Sequence, residues 1–121
     1  MILDTNILIA HLNGEVRVIE ILSDWKQSGR PLFISSISFA ETLALPGITL
    51  QERDKIRAYL SSFLSIPFDN TIAEAAAVFK GIYRMGLPDA AIAATAYTQN
   101  FPLVTRDHQF RKIKEISVVE V

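Results

Sequence analysis

The feature of this sequence that most constrains its fold is an alternation between short apolar runs and longer segments of helical period. The short runs, which we interpret as strands, lie at residues 1–4, 31–35, 65–68, 102–105 and 117–121. Strands that alternate with helices are typical of an α/β protein whose strands run parallel. Because these runs lack polar alternation, the sheet should be covered by helices on both faces. The sequence therefore predicts an α/β fold built on a short parallel sheet.

The segments between the strands carry apolar residues at helical spacing and are bounded by capping signals. Asn13-Gly14, Gly29 and Pro46-Gly47 supply stop signals, and Thr49 with Glu52 has the spacing of a capping box. The predicted helices span residues 5–12, 15–28, 36–45, 49–64, 70–85 and 88–100, with a short helical turn near Gln109. Two apolar stripes are predicted to face the core: Ile56, Leu60, Phe63 and Leu64, and then Ile72, Ala75, Ala76, Phe79, Ile82 and Tyr83.

Composition restricts the class of protein. Half of the 121 residues are hydrophobic and 21% are charged, which is enough to bury a core, so we predict one domain over residues 1–121. The absence of cysteine excludes disulfides, zinc–thiolate sites and cysteine nucleophiles. Met1-Ile2-Leu3 leads into Asp4 without the features of a signal peptide, and no apolar run approaches the ~20 residues of a membrane span. We expect a soluble, cytoplasmic protein with no membrane contact.

Two acidic residues lie directly beyond predicted strands. Asp4 follows the first strand, and Asp107 follows the strand Leu103–Thr105 with one residue between them. Ligands of open α/β sheets bind beyond the carboxyl ends of the strands, so both side chains are candidate ligands. Because Asp is also among the best helix N-cap residues, capping is an alternative explanation for each of them.

Two further acids lie on predicted helices. Glu41 is four residues after Ile37 and three before Ala44, which places it on the helix face predicted to be buried. A buried Glu is rare unless it is paired or binds a metal, although a Glu at a helix edge can instead extend to water. Asp89 starts a helix, where the macrodipole favours an acid, but the small residues at 90–96 would let that helix approach the sheet closely.

Together the four acids indicate a site for a hard divalent cation. Several carboxylates do not remain ionised together in a cleft without a cation, because like charges raise each other's pKa. Carboxylate oxygens suit Mg²⁺ or Mn²⁺, and a set without His or Cys is not typical of zinc. With these acids assigned to a site, the other nine acids are outnumbered by 12 basic residues, so the net charge of −1 does not exclude a nucleic-acid ligand.

Four motifs carry a resemblance to the PIN-domain family. They occur in the family's order along the chain, as Met1–Ile9 (MILDTNILI), Ser38–Glu41 (SFAE), Leu87–Ala96 (LPDAAIAATA) and Leu103–Phe110 (LVTRDHQF). Each motif is weak alone, but four in order with fitting spacing are specific. Within the family, the chain most resembles the VapC-type toxins of bacterial and archaeal toxin–antitoxin pairs. His108 and Gln109 stand where some members carry a further acid, which leaves open whether one or two metal ions bind.

The resemblance implies a three-layer α/β/α sandwich with a short central parallel sheet. It also implies an Mg²⁺- or Mn²⁺-dependent endoribonuclease that hydrolyses RNA phosphodiester bonds, leaving a 5′-phosphate and a 3′-hydroxyl. The catalytic and metal-binding residues it implies are Asp4, Glu41, Asp89 and Asp107. The polar residues implied to position a carboxylate or a water are Thr5, Asn6, Ser38 and Thr105.

Basic residues and apolar helix faces supply the expectations about partners. The candidate RNA-binding residues are Arg106, Arg84, Arg111 and Lys112, and for each of them a solvated surface charge is the alternative. The resemblance implies an antitoxin protein as partner and a homodimer, for which apolar helix faces outside the core would supply the surface.

Three alternatives remain open on the sequence. The same fold could serve RNA processing, or could bind RNA without cleaving it, although the presence of all four acids disfavours an inactive domain. An aspartate-dependent phosphatase also places an Asp after its first strand, but a second Asp expected two residues later is replaced here by Asn6. A purely structural domain, in which the acids are only helix caps, predicts that Glu41→Gln leaves divalent-metal binding unchanged.

Overall fold

The computed structural model describes all 121 residues and contains five strands and six α-helices. The strands are β1 (Ile2–Leu3), β2 (Phe33–Ser35), β3 (Leu64–Ile66), β4 (Leu103–Thr105) and β5 (Val118–Glu120). The helices are α1 (Thr5–Leu12), α2 (Val16–Gln27), α3 (Ser36–Leu43), α4 (Leu50–Leu60), α5 (Asn70–Tyr83) and α6 (Leu87–Gln99), and a 3₁₀ helix spans His108–Lys112. The predicted alternation of strands and helices is confirmed.

The five strands form one parallel sheet in the order β3-β2-β1-β4-β5. The chain builds from β1 outward to β3, then returns to the other side of β1 for β4 and β5. This reversal makes the boundary between β1 and β4 a topological switch point, where a crevice opens at the carboxyl ends of the strands. The fold therefore directs a binding site to the residues that follow β1 and β4.

Successive strand residues point to opposite faces of the sheet and supply two separate cores. Ile2 and Leu103 pack in a cluster with residues of α5 and α6, whereas Leu3, Ile34 and Val104 pack in a cluster with residues of α1 and α2. All five strand residues are fully buried. The sheet thus lies between two helical layers, which is the three-layer arrangement that was expected.

Helix α6 is the most deeply buried helix. Every residue from Ala90 to Ala96 is at most 1% exposed, and most of these side chains are a single methyl group. Such small side chains let α6 lie against α5 and also contact α3. The first turn of α6, which carries Asp89, is therefore brought close to the sheet. Neither α6 nor any other helix is both long enough and apolar enough to cross a membrane.

Polar side chains cap the starts of four helices. Asp4, Ser35, Thr49 and Asp69 each accept a hydrogen bond from a backbone N–H in the first turn of the helix that follows. Thr49 and Glu52 form the reciprocal capping box that their spacing predicts. These caps explain why the predicted helix starts agree with the structure to within a residue or two.

The predicted ends of three helices are wrong. Helix α4 ends at Leu60 and not at residue 64. Helix α3 ends at Leu43 and not at Leu45. Helix α5 ends at Tyr83, three residues before Gly86, because Arg84 adopts the left-handed conformation (φ 52°) that usually terminates a helix at glycine. An arginine at such a position does not mark a helix end in the sequence. Gly86 was therefore a misleading marker for the end of α5.

Two predicted core residues are exposed. Leu64 is not part of the α4 stripe but begins β3, which was predicted at residues 65–68, and its side chain is 56% exposed because β3 is an edge strand. Ile82 lies on the outer side of α5 and is 64% exposed. Both residues satisfy helical spacing, but spacing alone does not show how wide the buried stripe of a helix is.

Candidate metal centre

The fold brings together the four acidic residues that the sequence analysis selected. Asp4 follows β1 and Asp107 follows β4, so they flank the topological switch point. Asp89 lies in the first turn of α6, and Glu41 lies on α3. The charges of Asp89 and Asp107 raise the pKa of Asp4, and those of Asp107 and Glu41 raise the pKa of Asp89. Each acid is thus close enough to another to interact with it electrostatically.

Asp4 is the most buried of the four acids, with 4% of its surface exposed. Its Oδ1 accepts a hydrogen bond from the backbone N–H of Thr5 (2.7 Å), and its Oδ2 accepts one from the hydroxyl of Thr105 (2.6 Å). Burial raises the pKa of Asp4 to about 6, assisted by the neighbouring acids and opposed by these two hydrogen bonds. Asp4 therefore caps α1 and is at the same time a carboxylate whose charge is costly to maintain.

Asp89 and Asp107 are joined through Gln109. The Nε2 group of Gln109 donates to Oδ2 of Asp89 (2.9 Å) and to Oδ2 of Asp107 (2.6 Å). Oδ1 of Asp107 accepts from the backbone N–H of Gln109 (3.0 Å) and so caps the 3₁₀ helix. Burial, followed by the charge of Asp107, raises the pKa of Asp89. No role for Gln109 was predicted from the sequence, in which its only signal is that it replaces an acid found in some family members.

Glu41 is exposed, so the prediction that it lies on a buried helix face is wrong. The buried polar residues of α3 are Ser38 and Thr42, and the rotation of about 100° per residue turns Glu41 to the side of that stripe. Glu41 is nevertheless held in place, because the hydroxyl of Thr5 donates to its Oε1 (2.7 Å). A second hydrogen bond of 2.9 Å links the hydroxyls of Thr5 and Ser38.

The polar residues predicted to support the site all take part in this network. The buried hydroxyl of Thr105 donates to Asp4 and accepts from the backbone N–H of Asp107 (3.0 Å) and from Nδ2 of Asn6 (3.4 Å). Oδ1 of Asn6 accepts from the backbone N–H of Arg106 (3.4 Å). The loop after β4 is therefore fastened to the start of α1, and no buried polar side-chain atom lacks a partner.

The basic residues predicted to bind RNA lie in two kinds of environment. Arg106 donates to Oε1 of Glu15 (3.0 Å) at the start of α2, and Arg111 forms a salt bridge with Glu120 of β5. Both arginines are partly or largely exposed, so water screens these pairs. Two of the four residues form no salt bridge, namely Arg84 and Lys112.

The acidic site is an open edge of the sheet and not an enclosed cavity. The largest cavity, of about 460 Å³, lies at the opposite edge of the sheet, where Tyr97, Phe101 and Ser117 are among its lining residues. The two smaller cavities also lie away from the four acids. An open edge is accessible to a polymer, whereas a small metabolite is usually held in a concave pocket.

The donor set fits a hard divalent cation in ligand type and in charge. It offers carboxylate and hydroxyl oxygens without a thiol, and two of the carboxyl groups have raised pKa values that a nearby positive charge would lower. As the side chains stand, no three acidic or histidine groups are arranged to hold one ion. The donors of Thr5 and Gln109 link the acids instead, so a cation would have to replace some of these hydrogen bonds.

Comparison with known proteins gives a consistent result. The sequence matches the family model described as PIN domain over residues 1–116. It is 37% identical over 113 residues to Ribonuclease VapC10 of Mycobacterium tuberculosis, with 87% of this chain and 80% of that protein covered. A toxin–antitoxin complex from Klebsiella pneumoniae has a TM-score of 0.83 and 32% identity, covering 98% of this chain and 94% of that chain. VapBC2 from Rickettsia felis, bound to a DNA fragment from their promoter, shares the fold with a TM-score of 0.87 at 22% identity, covering 99% and 97%.

Proposed function

This chain belongs to the PIN-domain family, and from that premise we propose that it is a metal-dependent endoribonuclease, the toxin of a toxin–antitoxin pair. The observation that carries the proposal is the set of four coupled acids at the carboxyl end of β1 and β4. The relative that is 37% identical is named a ribonuclease, and the structural neighbour that is 32% identical is a toxin–antitoxin complex. These names support the activity and the role, respectively.

The residues that would hold Mg²⁺ or Mn²⁺ are Asp4, Asp89, Asp107 and Glu41. Support comes from the raised pKa of Asp4 and Asp89, because burial and neighbouring negative charge both disfavour their ionised forms. When bound, a divalent cation supplies a water of lowered pKa and offsets the charge that builds on the phosphoryl oxygens. The positive charge of the cation would also lower the raised pKa of Asp4 and of Asp89.

The neighbouring polar side chains position the carboxylates. Thr105 and the backbone of Thr5 fix both oxygens of Asp4, and the hydroxyl of Thr5 fixes Glu41. Asn6 holds the backbone of Arg106 and so fixes the loop that carries Asp107. Such contacts hold the acids in place before substrate arrives, which lowers the reorganisation that the reaction requires.

We propose that phosphate groups of the RNA are held by basic residues near the site. Arg106 is the nearest in sequence to a proposed ligand, and its exposed pair with Glu15 can exchange for a phosphate oxygen. Arg111 would have to make a similar exchange with Glu120, whereas Arg84 and Lys112 are free of salt bridges. Phosphate contacts of this kind fix the position of a strand without reading its sequence.

The proposed toxin role implies an antitoxin protein as partner, a homodimer, and action in the cytoplasm. Support for protein partners comes from large apolar side chains that the isolated chain exposes, and these include Val16, Ile19, Leu50, Val78 and Ile82. These residues lie on α2, α4 and α5, and a protein partner bound to those helices would remove their apolar surface from water. A role in RNA processing would need no antitoxin, so the test of partnership is separate from the test of activity.

The activity is tested by incubating purified protein with total RNA in Mg²⁺, Mn²⁺ or EDTA. We expect cleavage that needs the metal and falls by about 10²-fold or more in Asp4→Asn and Asp89→Asn. The matched control is Asp69→Asn, because Asp69 caps α5 away from the site and Asn is an equally good cap. Absence of cleavage by the folded protein in either metal, or cleavage that persists in EDTA, would contradict the proposal.

The toxin role is tested by expressing the chain alone in bacteria. We expect growth arrest with the native sequence and normal growth with Asp4→Asn, while co-expression of the protein encoded by a neighbouring small gene restores growth. An active ribonuclease that does not arrest growth would favour the RNA-processing role.

A further inference from the structure

Gln109 connects two acids that come from different parts of the fold. Its single Nε2 group lies 2.9 Å from Oδ2 of Asp89, in the first turn of α6, and 2.6 Å from Oδ2 of Asp107, after β4. Both hydrogens of one amide group are therefore used to hold two carboxylates side by side. The two carboxylates repel each other, and the hydrogen bonds from Gln109 offset part of that repulsion.

The position of Gln109 is set by the backbone around it. Its N–H donates to Oδ1 of Asp107 (3.0 Å), so the same residue binds both oxygens of that carboxylate. The next residue, Phe110, is fully buried and anchors the 3₁₀ helix in the core. The side chain of Gln109 is thus held over the acids by a fixed backbone, unlike a surface side chain that swings freely.

An amide and a cation make competing use of the same oxygens. The amide donates hydrogen bonds to two carboxylates but does not neutralise their charge. A divalent cation would bind the same oxygens and would also neutralise the charge. A cation bound between these two oxygens would need the place that Nε2 of Gln109 occupies, and its positive charge would repel the amide hydrogens. We propose that Gln109 is a positioning residue that holds Asp89 and Asp107 together and competes with the divalent cation for their Oδ2 atoms. The inference rests on the proposed function, since it takes these acids as the metal ligands.

Competition of this kind has a defined thermodynamic consequence. The hydrogen bonds from Gln109 form only when no cation is bound, and they stabilise the metal-free fold. Because a cation must break them to bind, the same hydrogen bonds weaken metal affinity. Gln109→Ala should therefore lower the melting temperature in EDTA and tighten Mn²⁺ binding by about tenfold, which corresponds to ~1.4 kcal/mol. Gln109→Glu adds a third negative group, so it should destabilise the protein further in EDTA and bind Mn²⁺ more tightly still.

The experiment measures Mn²⁺ binding by titration calorimetry, without RNA, and melting temperature in EDTA, for native protein, Gln109→Ala and Gln109→Glu. Gln99→Ala serves as the control, because Gln99 is an exposed residue at the end of α6. If Oε1 of Gln109 were itself a ligand, Gln109→Ala would bind Mn²⁺ more weakly than the native protein. Weaker or unchanged Mn²⁺ affinity in Gln109→Ala would overturn the proposal. An unchanged melting temperature of Gln109→Ala in EDTA would overturn it as well.

RNA cleavage by the same samples separates the two proposals. If the native protein cleaves RNA in a metal-dependent way but Gln109→Ala has unaltered Mn²⁺ affinity, only the proposal that Gln109 competes with the cation is rejected. Absence of both cleavage and Mn²⁺ binding in native protein and both variants rejects the competition and the proposed function together.

Discussion

In the absence of metal, Asp4→Asn should gain stability relative to the native protein as the pH rises from 4 to neutral, although it removes a ligand of the proposed site. Asp4 is 4% exposed, and burial raises its pKa to about 6 from an ordinary value of 3.8. Because the folded protein holds this proton more tightly than the unfolded chain, stability is fully present below pH ~3.8 and falls as the pH rises towards ~6. The amide cannot ionise, so the variant avoids this loss.

The size of the effect follows from the two pKa values. At 1.36 kcal/mol per pH unit, the gap between 3.8 and about 6 corresponds to about 3 kcal/mol in the free energy of unfolding above pH 7. The altered hydrogen bond with Thr105 adds a penalty that is nearly independent of pH. The test is therefore the pH dependence of the difference between the two proteins and not its value at one pH.

The assay is urea unfolding in EDTA at several values between pH 4 and pH 8, for native protein, Asp4→Asn and the control Asp69→Asn. The difference between Asp4→Asn and native protein should rise by about 2 kcal/mol in favour of the variant from pH 4 to pH 7.5, because part of the total of about 3 kcal/mol is already lost at pH 4. Asp69→Asn should show no comparable rise. A difference for Asp4→Asn that stays flat across this range would refute the argument that burial raises the pKa of Asp4.

Four further substitutions test the acids and the residues around them. Thr105→Val keeps the shape of the side chain but removes the buried donor to Asp4, so we expect a loss of about 1–3 kcal/mol in urea unfolding and lower RNA cleavage; native stability would contradict the role of this hydroxyl. Glu41→Gln should leave the melting temperature unchanged, because Glu41 is exposed. The same substitution should weaken Mn²⁺ binding in calorimetry, and unchanged affinity would favour a purely structural role for Glu41. At low salt, Arg106→Gln should raise KM for RNA because it removes a positive charge, and Glu15→Gln should lower KM because it releases Arg106 from its salt bridge. KM values equal to that of the native protein would exclude Arg106 from RNA binding.

Local sequence patterns were sufficient to predict most of the fold. The strands are short and apolar because both faces of the sheet are covered, and the helix starts carry capping residues whose chemistry is specific to that position. Asp4 and Asp107 were predicted as candidate ligands because each follows a strand, and the sheet order of the structure adds that their two strands are adjacent. These inferences depend only on residues near one another in sequence and on general rules of sheet topology.

The misassigned residues depend on distant parts of the chain. The burial of Glu41 is decided by how α3 lies against its neighbours, and its helix is too short for the apolar period to define a face. The pairs Arg106–Glu15 and Arg111–Glu120 join segments whose approach no local pattern reports. Gln109 lies in a loop, where the identity of its partners follows from the placement of α6 and not from its own sequence context.

Asp4 and Asp107 show that a residue can cap a helix and still present a carboxylate oxygen to the proposed site. A carboxylate has about four acceptor sites on its two oxygens, and each cap uses one of them on Oδ1. The cap then fixes the side chain and leaves Oδ2 for the crevice, where it meets Thr105 in one case and Gln109 in the other. An Asp that served only as a cap should have a lowered pKa, because the helix N-terminus stabilises its charge. The pKa of Asp4 is instead raised to about 6, chiefly by burial and to a smaller extent by the neighbouring acids, so capping alone does not account for an Asp at this position.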